Sequence, residues 1–593
     1  MEKKETPTDI DVVHKEDTPS FQELPKETGG IRDEFDYEEE DLDMQIVNEL
    51  ATSEDDTTLV CFTFRSLFTG IILAILSASV SQLMLFKPVS VPLSNTFMMI
   101  VAYLICNAWA NFLPKGGWLN PGPFNVKENT CIYVLVSAAN TSAYGTFILG
   151  AQQLYYAHSP GALGGMLLLF STQIVGYGIA GQLRPFLVYA PNVVWPQSLP
   201  TVSFLRTLNT DIDDSKWRTR FFFVVFGGIF VYEFIPQYMF PLLGGISVFC
   251  LGKRDSRWFE RIFGGLDLNE GMGVLSLSFD WQFLSAYKPL VLPLYVQLNI
   301  FSGILIMWIV APLAYYYNIW DAQKFPFLSN SIYYVNKTTG NSGIYPQEYV
   351  LNSDNSLNRT RFEEVGSPKY PTVAALQYVF INLSVTSAIM HVILYYGKDL
   401  GGSIRRQWTK KKADQEKMDV HMRLMLAYKE VPSWWYYAIY ITGIALNILV
   451  AYVNHSQLPW WGVLFAIGMS SVLSLPLNFI SAVTGTSFGL NVVAEMICGF
   501  VLQGYPVANI YFKTLGFNTM NQAGIMAMDL KIGHYLKVPP RMIFWNQMIG
   551  TVIGCIFNYI VNHSIIDNKR DILIGDGDNV WSGAAFHPLL GEP

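Results

Sequence analysis

The sequence predicts an all-α fold, a polytopic transmembrane helical bundle with interrupted helices, on the strength of three observations. Hydrophobic residues make up 51% of the 593 residues. Charged residues make up 15%, against about 25% in soluble domains, which argues against a soluble surface of ordinary polarity. Many segments stay apolar over the ~20 residues that a helix needs to cross a bilayer. A lipid bilayer is therefore the expected environment, and no nucleic-acid partner is expected.

Ten segments are predicted to cross the membrane as complete helices. They are Leu67–Phe86, Asn95–Leu113, Cys131–Ala151, Ala162–Gly181, Phe221–Leu243, Leu290–Tyr316, Thr372–Tyr396, Trp434–Val453, Trp461–Val483 and Ile543–Asn562. Three shorter or interrupted candidates are Arg184–Trp195, Leu490–Gln503 and Asn521–Tyr535. Because helices satisfy their own backbone hydrogen bonds in lipid, this bundle needs no sheet.

The first 65 residues differ from the rest of the chain in charge. They carry 20 of the 47 acidic residues and 6 of the 39 basic ones, so the remaining chain is mildly basic although the net charge is −8. Residues 1–64 contain too little apolar sequence to fold alone and are predicted to be a disordered, acidic, cytoplasmic tail. A trafficking or regulatory role is the alternative to a plain solvated leader. The transmembrane domain is expected over residues 65–562.

Charge and glycosylation motifs independently predict the same orientation. The lysines and arginines concentrated within loop 397–433 mark that loop as cytoplasmic by the positive-inside rule. Loop 318–370, one span earlier, then lies outside the cell. Sequences that accept N-linked glycans belong on that outer face. Three candidate sites fall there: Asn336, Asn358 and Asn454.

The reactive residue types show no pattern of an enzyme or a metal site. The six cysteines form no paired motif and mostly sit in apolar runs, so they are expected to be buried thiols. The eight histidines lack metal-ligand spacing. No phosphate-binding loop, nucleotide fingerprint or nucleophile elbow occurs. We therefore expect no enzymatic activity, no metal and no cofactor.

Proline and glycine concentrate at four places within or beside apolar runs: Pro114–Asn129, Ser198–Arg206, Leu475–Leu490 and Gly504–Pro506. A helix broken at membrane depth exposes free N–H groups at one new end and free C=O groups at the other. The first suits a carboxylate and the second a cation, which is how transporters build a site near the midplane. A plain surface loop is the alternative interpretation of each segment.

Ionisable residues within apolar runs are costly, about 2.5–3.5 kcal/mol at the centre of a span, and therefore indicate function or internal pairing. Glu495 lies in a short apolar run flanked by broken backbone, which favours a proton-coupling role because a buried carboxyl exchanges its proton more readily near neutral pH. Glu233 and His391 are secondary candidates that structural pairing could equally explain. Opposite charges between Asp529 and Lys537 are close enough in sequence to pair on a helix.

Two motifs resemble those of the oligopeptide transporter family. Asn120-Pro-Gly-Pro-Phe-Asn-Val-Lys-Glu128 is similar to the family's NPG motif, and Lys537-Val-Pro-Pro-Arg541 is similar to its KIPPR motif. The stretch Ala482–Lys513 between them is also similar, and the resemblance runs from about residue 65 to about residue 560. Both motifs are typical of the peptide-transporting branch, as opposed to the branch that moves metal chelates.

The resemblance implies an importer of tetra- and pentapeptides or glutathione-like compounds that is driven by the proton gradient. It also implies a fungal or plant membrane, expected to be the plasma membrane with the N-terminus in the cytoplasm, and more spans than the ten above. The residues expected to bind substrate or protons are Asn120, Pro121, Gly122, Lys127, Glu128, Glu495, Asp529, Lys531, His534, Lys537 and Arg541.

Two departures from the family pattern leave alternatives open. Asn129 stands where the family usually has His, which would alter proton handling at that motif. The family continues for several spans beyond KIPPR, whereas here one span and an atypical segment, 563–593, follow, so the chain is expected to be truncated. A non-transporting relic or a peptide-sensing receptor is the alternative function, and a carrier of metal chelates is a third. The oligomeric state is not predicted.

Overall fold

The protein folds as a bundle of long helices with one small hairpin. A computed structural model describes residues 47, 50–51, 54–87, 93–117, 119–140, 144–156, 158–190, 193–209, 213–253, 255–265, 271–282, 288–329, 331–336, 340–408, 420–575, 580–583 and 586. The predicted acidic tail, apart from those few positions, lies outside the described residues, as do the central lysines of the basic loop. Every statement below concerns the described part of the chain.

The α-helices are numbered in chain order. They are α1 Phe64–Met84, α2 Asn95–Phe112, α3 Val126–Asn140, α4 Gly145–Leu154, α5 Ala162–Leu187, α6 Leu199–Asn209, α7 Asp213–Phe234, α8 Arg257–Phe263, α9 Leu294–Tyr316, α10 Gln347–Val350, α11 Arg359–Val365, α12 Thr372–His391, α13 Gly397–Trp408, α14 Val420–Met425, α15 Ser433–Val453, α16 Trp460–Thr484, α17 Asn491–Val501, α18 Pro506–Tyr535 and α19 Pro540–Ile574. Short 3₁₀ and π turns extend several of them. The hairpin pairs β1 Tyr333–Val335 with β2 Ser342–Ile344 in antiparallel register.

Nine of the described helices are long and apolar enough to cross a membrane. They correspond to nine of the ten predicted spans, the predicted span over Cys131–Ala151 running through α3 and α4. The tenth prediction, Asn95–Leu113, is also helical, but α2, with three asparagines among its 18 residues, is not among the helices long and apolar enough to cross a membrane. The last helix, α19, extends well beyond the predicted end at Asn562. The prediction of a transmembrane helical bundle is therefore confirmed, although the bounds of most spans differ from those predicted.

One interrupted candidate and one predicted break are wrong. Asn521–Tyr535 is not a short element but the second half of α18, a 30-residue helix whose length is about 45 Å. Its polar residues lower its hydropathy, yet most of its side chains are buried by other helices. Ser198–Arg206 is also helical, from a 3₁₀ turn into α6. The irregular backbone lies just before it, where Trp195 has a φ of 57°.

The helices form an inner and an outer layer. Within the span formed by α3 and α4, 80% of the apolar window is buried, and the value for α5 is 72%. The corresponding values are 6% for the span containing α7 and 11% for α9. Since these outer helices expose large apolar side chains on a long surface, they present the faces expected to contact lipid.

Glycines bring the inner helices close together. At Gly176 of α5, an added Cβ would overlap Gln522 of α18, and at Gly550 of α19 it would overlap the backbone of Leu135 in α3. Such small residues let backbones approach within van der Waals contact in membrane bundles. The inner layer thus places α3, α5, α18 and α19 side by side, and the candidate site lies among them.

The C-terminal segment also packs onto the bundle where it is described. Phe586 packs against Phe86, with ring centroids 4.7 Å apart. The Lys87 ammonium lies 3.7 Å from the centroid of the Trp581 ring. Five of the six cysteines are buried free thiols, as predicted, and Cys250 is partly exposed.

Candidate functional site

The NPG motif is organised around an arginine in the first turn of α1. Arg65 pairs with Glu128 through two hydrogen bonds, Nε to Oε2 at 2.7 Å and Nη2 to Oε1 at 2.8 Å. Its remaining donors reach the Gly122 carbonyl at 2.7 Å, the Asn120 Oδ1 at 3.1 Å and the Pro123 carbonyl at 2.9 Å. Arg65 and Glu128 are both fully buried. The motif therefore forms a saturated ion-pair site that joins the 113–125 loop to α1.

Individual motif residues have distinct places in this arrangement. Gly122 has a φ of 152°, a region that side chains disfavour, so glycine is required for the loop to present its carbonyl to Arg65. Pro121 is exposed at the surface. Arg65 is not among the residues predicted from the sequence. The available signal was an arginine immediately before an apolar run, where it must be either snorkelling or paired.

Lys127, the next motif residue, ties three segments together. Its ammonium donates to Asp55 at 2.8 Å, to the Asp56 carbonyl at 2.7 Å and to the Tyr428 hydroxyl at 2.7 Å. The Tyr428 hydroxyl in turn donates to Asp55 at 2.7 Å. Burial and the neighbouring Asp55 carboxylate raise the pKa of Tyr428, so the phenol stays protonated and remains a donor.

The KVPPR motif contacts the same segment, residues 420–431, which we call the strap. Lys537 adopts a φ of 55°, and its ammonium lies 2.6 Å from His421 Nδ1. Arg541 donates to the Glu430 carbonyl at 3.0 Å. The Glu430 side chain pairs with Arg184 at 2.8 Å. Both family-like motifs thus hold the strap against the bundle.

The end of α18 contains three of the predicted site residues. The Lys531 ammonium donates to the Val188 carbonyl at 2.8 Å, and His534 is buried with Nδ1 lacking a hydrogen-bond partner. Asp529 is fully buried, accepts one hydrogen bond on Oδ2 from Gln547 Nε2 at 2.8 Å, and has no partner on Oδ1. The sequence allows opposite charges within 529–537 to pair, but Asp529 forms no ion pair in the described part of the chain: Lys531 does not face it on the helix and donates to the Val188 carbonyl, and Lys537 contacts His421.

A row of buried polar side chains continues from Gln547 along α19. We call it the polar stripe: Gln547, Thr551, Asn558 and Asn562, each at most 1% exposed. Thr551 shares a hydrogen bond of 2.7 Å with Tyr177 of α5, and Asn562 accepts from Gln82 of α1 at 3.1 Å. Neither polar atom of the Asn558 amide has a partner. Their spacing keeps them on one helix face over about 22 Å.

Glu495 lies apart from this group. Its carboxylate pairs with Lys513 of α18 at 3.3 Å, and its side chain is 37% exposed. Lys513 is 16 residues before Asp529 on the same helix, which corresponds to about 24 Å. The structure therefore does not bring Glu495 together with the other predicted site residues.

The secondary and glycosylation candidates lie on the outer elements. Glu233 of α7 accepts from the Trp281 amide at 3.2 Å, and His391 of α12 is exposed and packs on Tyr395. Asn336 is partly exposed, and Asn358 caps α11. Asn454 is 1% exposed and donates to the Gly164 carbonyl. Its predicted glycosylation is therefore corrected, since a buried, bonded amide cannot accept a glycan.

A cavity opens on the side of the bundle that carries loop 318–370. Its volume is about 650 Å³. Burial and the neighbouring His455 lower the pKa of His158, one of the lining residues, which favours the neutral form of the His158 imidazole. The floor reaches Gln152, which accepts from Tyr511 of α18 at 3.1 Å. In the described part of the chain, no group of three or more His, Cys, Asp or Glu side chains is placed to hold a metal ion.

Comparison with known proteins identifies the family. The family described as OPT oligopeptide transporter protein matches residues 61–586. That match continues past residue 560 into the C-terminal segment that the sequence analysis treats as atypical. Oligopeptide transporter 6 of Arabidopsis thaliana is 34% identical over 520 residues, which cover 85% of this chain and 69% of that protein.

Two further relatives give the same result. Oligopeptide transporter 4 of Arabidopsis thaliana is 32% identical over 550 residues, covering 89% of this chain and 73% of the relative. Sexual differentiation process protein isp4 of Schizosaccharomyces pombe is 32% identical over 559 residues, covering 91% and 69% respectively. With its nine membrane-crossing helices in the described residues, this chain is a multi-pass integral membrane protein that belongs to the OPT oligopeptide transporter family.

Proposed function

We propose that the protein is a proton-coupled secondary transporter that imports short peptides across the plasma membrane. Family membership supports transport of peptides, since the relatives from Arabidopsis thaliana and from Schizosaccharomyces pombe both match over most of this chain. The observation that carries the proposal is the polar stripe on α19, which lies inside a bundle whose outer helices are apolar. Two members of the row bond neighbouring helices, but the Asn558 amide has no partner in the described part of the chain, which leaves it available to a polar cargo.

The chemistry of the stripe suits a peptide better than an ion or an apolar solute. Its amides each offer a donor and an acceptor, which match the N–H and C=O groups of a peptide backbone. A buried amide that lacks partners costs about 1–3 kcal/mol, so the vacant hydrogen-bonding capacity of Asn558 is expensive unless a substrate or water uses it. Recognition of the backbone would leave side-chain preference broad.

Entry from the outside is proposed at the cavity beside loop 318–370. Gln152 at its floor bonds Tyr511, so a ligand there would contact the start of the long inner helix α18. At the other side, the contacts of Lys127, Lys537 and Arg541 hold the strap against the bundle. This arrangement fits a transporter whose strap faces the cytoplasm, as the positive charge of the 397–433 loop that contains it predicts.

Uptake measurements test the proposal directly. The full chain would be expressed in cells that lack peptide uptake, and import of a radiolabelled tetrapeptide and of glutathione measured at an acidic and a neutral external pH. We expect saturable tetrapeptide uptake that is faster at the acidic pH and is abolished by a protonophore. Normal surface delivery without peptide uptake would favour a relic or a peptide-sensing receptor. Preferential uptake of a metal chelate would favour the third alternative.

A further inference from the structure

We propose that Asp529 is the carboxyl group that binds and releases the coupling proton. We also propose that the side-chain amide of Gln547 changes its orientation toward the substrate path when Asp529 gains or loses that proton. The inference rests on the proposed function and deepens it by assigning the coupling residue. It departs from the sequence-based preference for Glu495, whose carboxylate is partly exposed and paired with Lys513.

Asp529 differs from the other deeply buried acidic residues of the described chain. The others are Glu128 and Asp280, at 0% and 3% exposure against 0% for Asp529, and Asp55, whose side chain is 3% exposed and pairs with Lys127. Glu128 is neutralised by Arg65 and accepts further hydrogen bonds from Thr63 and Asn125. Asp280 accepts from the Gln237 side chain and the Gln282 amide, one on each oxygen. Asp529 has a single donor, one oxygen without a partner and no ion-pair partner among the described residues.

The groups that face Asp529 do not fix its charge. Tyr133 of α3 and Tyr177 of α5 lie close enough to interact with it electrostatically, and both are neutral phenols. Gln547 of α19 is also neutral. On its own helix, Lys531 and His534 follow, and the Lys531 ammonium is engaged by the Val188 carbonyl. The carboxyl is therefore free to be ionised when water reaches it and protonated when it is enclosed.

Gln547 provides a route from this proton to the substrate. Its Nε2 donates to Asp529 Oδ2, while its Oε1 has no partner. When Asp529 is protonated on either oxygen, its carboxyl group can donate a hydrogen bond. Rotation of the Gln547 side-chain amide would then let Oε1 accept that hydrogen bond. The amide would then present Nε2 where it previously presented Oε1. Because Gln547 is also the first residue of the polar stripe, the hydrogen-bonding pattern offered to a peptide changes with protonation.

The transport step balances without any further reactant. When the site is open to the outside, external hydronium transfers its proton to the Asp529 carboxylate and becomes water; when the site is open to the inside, the carboxyl O–H breaks and internal water takes the proton. No covalent bond to the peptide forms, and the proton gradient supplies the driving force. Return of the empty carrier with an ionised carboxyl completes the cycle.

The test compares Asp529→Asn and Glu495→Gln with the wild-type full chain in proteoliposomes. Two rates are measured with a labelled tetrapeptide: accumulation driven by a pH gradient, and exchange against internal unlabelled peptide without a gradient. With one proton per peptide, a unit of pH gradient supports about tenfold accumulation. We expect wild type and Glu495→Gln to accumulate the peptide, and Asp529→Asn to exchange it without accumulation. Gradient-driven accumulation by Asp529→Asn would overturn the assignment.

Two further measurements keep the assignment testable. If Asp529→Asn does not fold, Gln547→Met leaves the carboxyl in place but removes its donor; an altered pH midpoint of uptake supports the inference, and an unchanged profile contradicts it. Infrared difference spectra between acidic and neutral buffer need no transport. We expect a protonated-carboxyl band in wild type that Asp529→Asn lacks. If wild type moves no peptide, the proposed function fails with the coupling role, and the infrared band then shows whether Asp529 alone still binds a proton.

Discussion

Two sets of buried polar side chains in this bundle differ in how completely they are bonded. Around the NPG and KVPPR motifs, the charged groups of Arg65, Glu128, Lys127 and Lys537 all have close partners. Along the polar stripe of α19 and at Asp529, donors and acceptors remain unused. The difference teaches that the residues most recognisable in the sequence hold the helices together. Those with spare hydrogen-bonding capacity are the ones that we propose are available to a substrate.

The energetic consequences of mutation should differ in the same way. Removing one member of a buried ion pair leaves an uncompensated charge and costs about 3–5 kcal/mol. Replacing a buried amide that has no partner by an apolar group of similar size is nearly neutral or stabilising. Stability and transport should therefore separate cleanly between the two regions.

The largest expected effect is on Arg65. Arg65→Met leaves Glu128 charged and unpaired, so we expect a loss of about 3–5 kcal/mol in stability and little protein at the cell surface. Thermal unfolding in detergent and surface biotinylation measure this. The double variant with Glu128→Met should recover part of the stability, because no charge remains buried. Normal stability of Arg65→Met would contradict the structural role.

Releasing the strap should have a smaller effect on stability and a distinct effect on conformation. Lys537→Met removes the contact with His421 and should cost about 1–3 kcal/mol, while increasing protease cleavage within residues 420–431. Limited proteolysis followed by mass spectrometry locates the cleavage. Lys324→Met, which removes an exposed ion pair with Asp321, is the matched control and should leave the cleavage pattern unchanged. Equal protection in both variants would show that the motif does not hold the strap.

Replacing Asn558 should impair transport more than stability, whereas replacing Arg65 should mainly impair stability. We expect Asn558→Leu to change the unfolding free energy by less than about 1 kcal/mol, while peptide uptake falls by about tenfold or more because the substrate loses a hydrogen-bonding amide. Unfolding temperature and initial uptake rate, measured on the same preparation, decide the matter. A drop in stability with uptake retained would place Asn558 in the packing of the bundle instead.

The smallest effect is expected at Glu495. Its pair with Lys513 is partly exposed, and such pairs contribute about 0–1 kcal/mol. Glu495→Gln should keep near-normal stability and the wild-type pH dependence of uptake. Loss of that pH dependence would restore Glu495 as the coupling residue and remove the contrast between the two regions.

Much of the fold was predictable because long apolar runs leave few alternatives in lipid. The predicted span at Thr372–Tyr396 matches its helical stretch, and Trp461–Val483 differs from α16 by one residue at each end. The prediction failed for α18, whose Lys513, Asp529 and Lys531 lower its hydropathy. Hydropathy measures the cost of moving a side chain from water into lipid. Most side chains of α18 are buried against other helices instead, and those helices supply hydrogen bonds to its polar groups.

The site was predictable only in part. Motif resemblance pointed to Asn120, Glu128 and Lys537, which the structure places in two bonded clusters. Their partners Arg65 and His421 are distant in sequence, and no local pattern connects them. The polar stripe was missed because Asn558 and Asn562 are uncharged and sit within an apolar run, so a search restricted to ionisable residues passed over them.

The most direct test of the account is the accessibility of the polar stripe. Asn558→Cys in the full chain would be treated with a membrane-impermeant, water-soluble thiol reagent, and labelling compared with the background from the six native cysteines. If the stripe lines the substrate path, the introduced thiol labels above that background and a saturating tetrapeptide slows the labelling. Absence of labelling, or labelling that the peptide leaves unchanged, would contradict the central claim that these residues face the cargo.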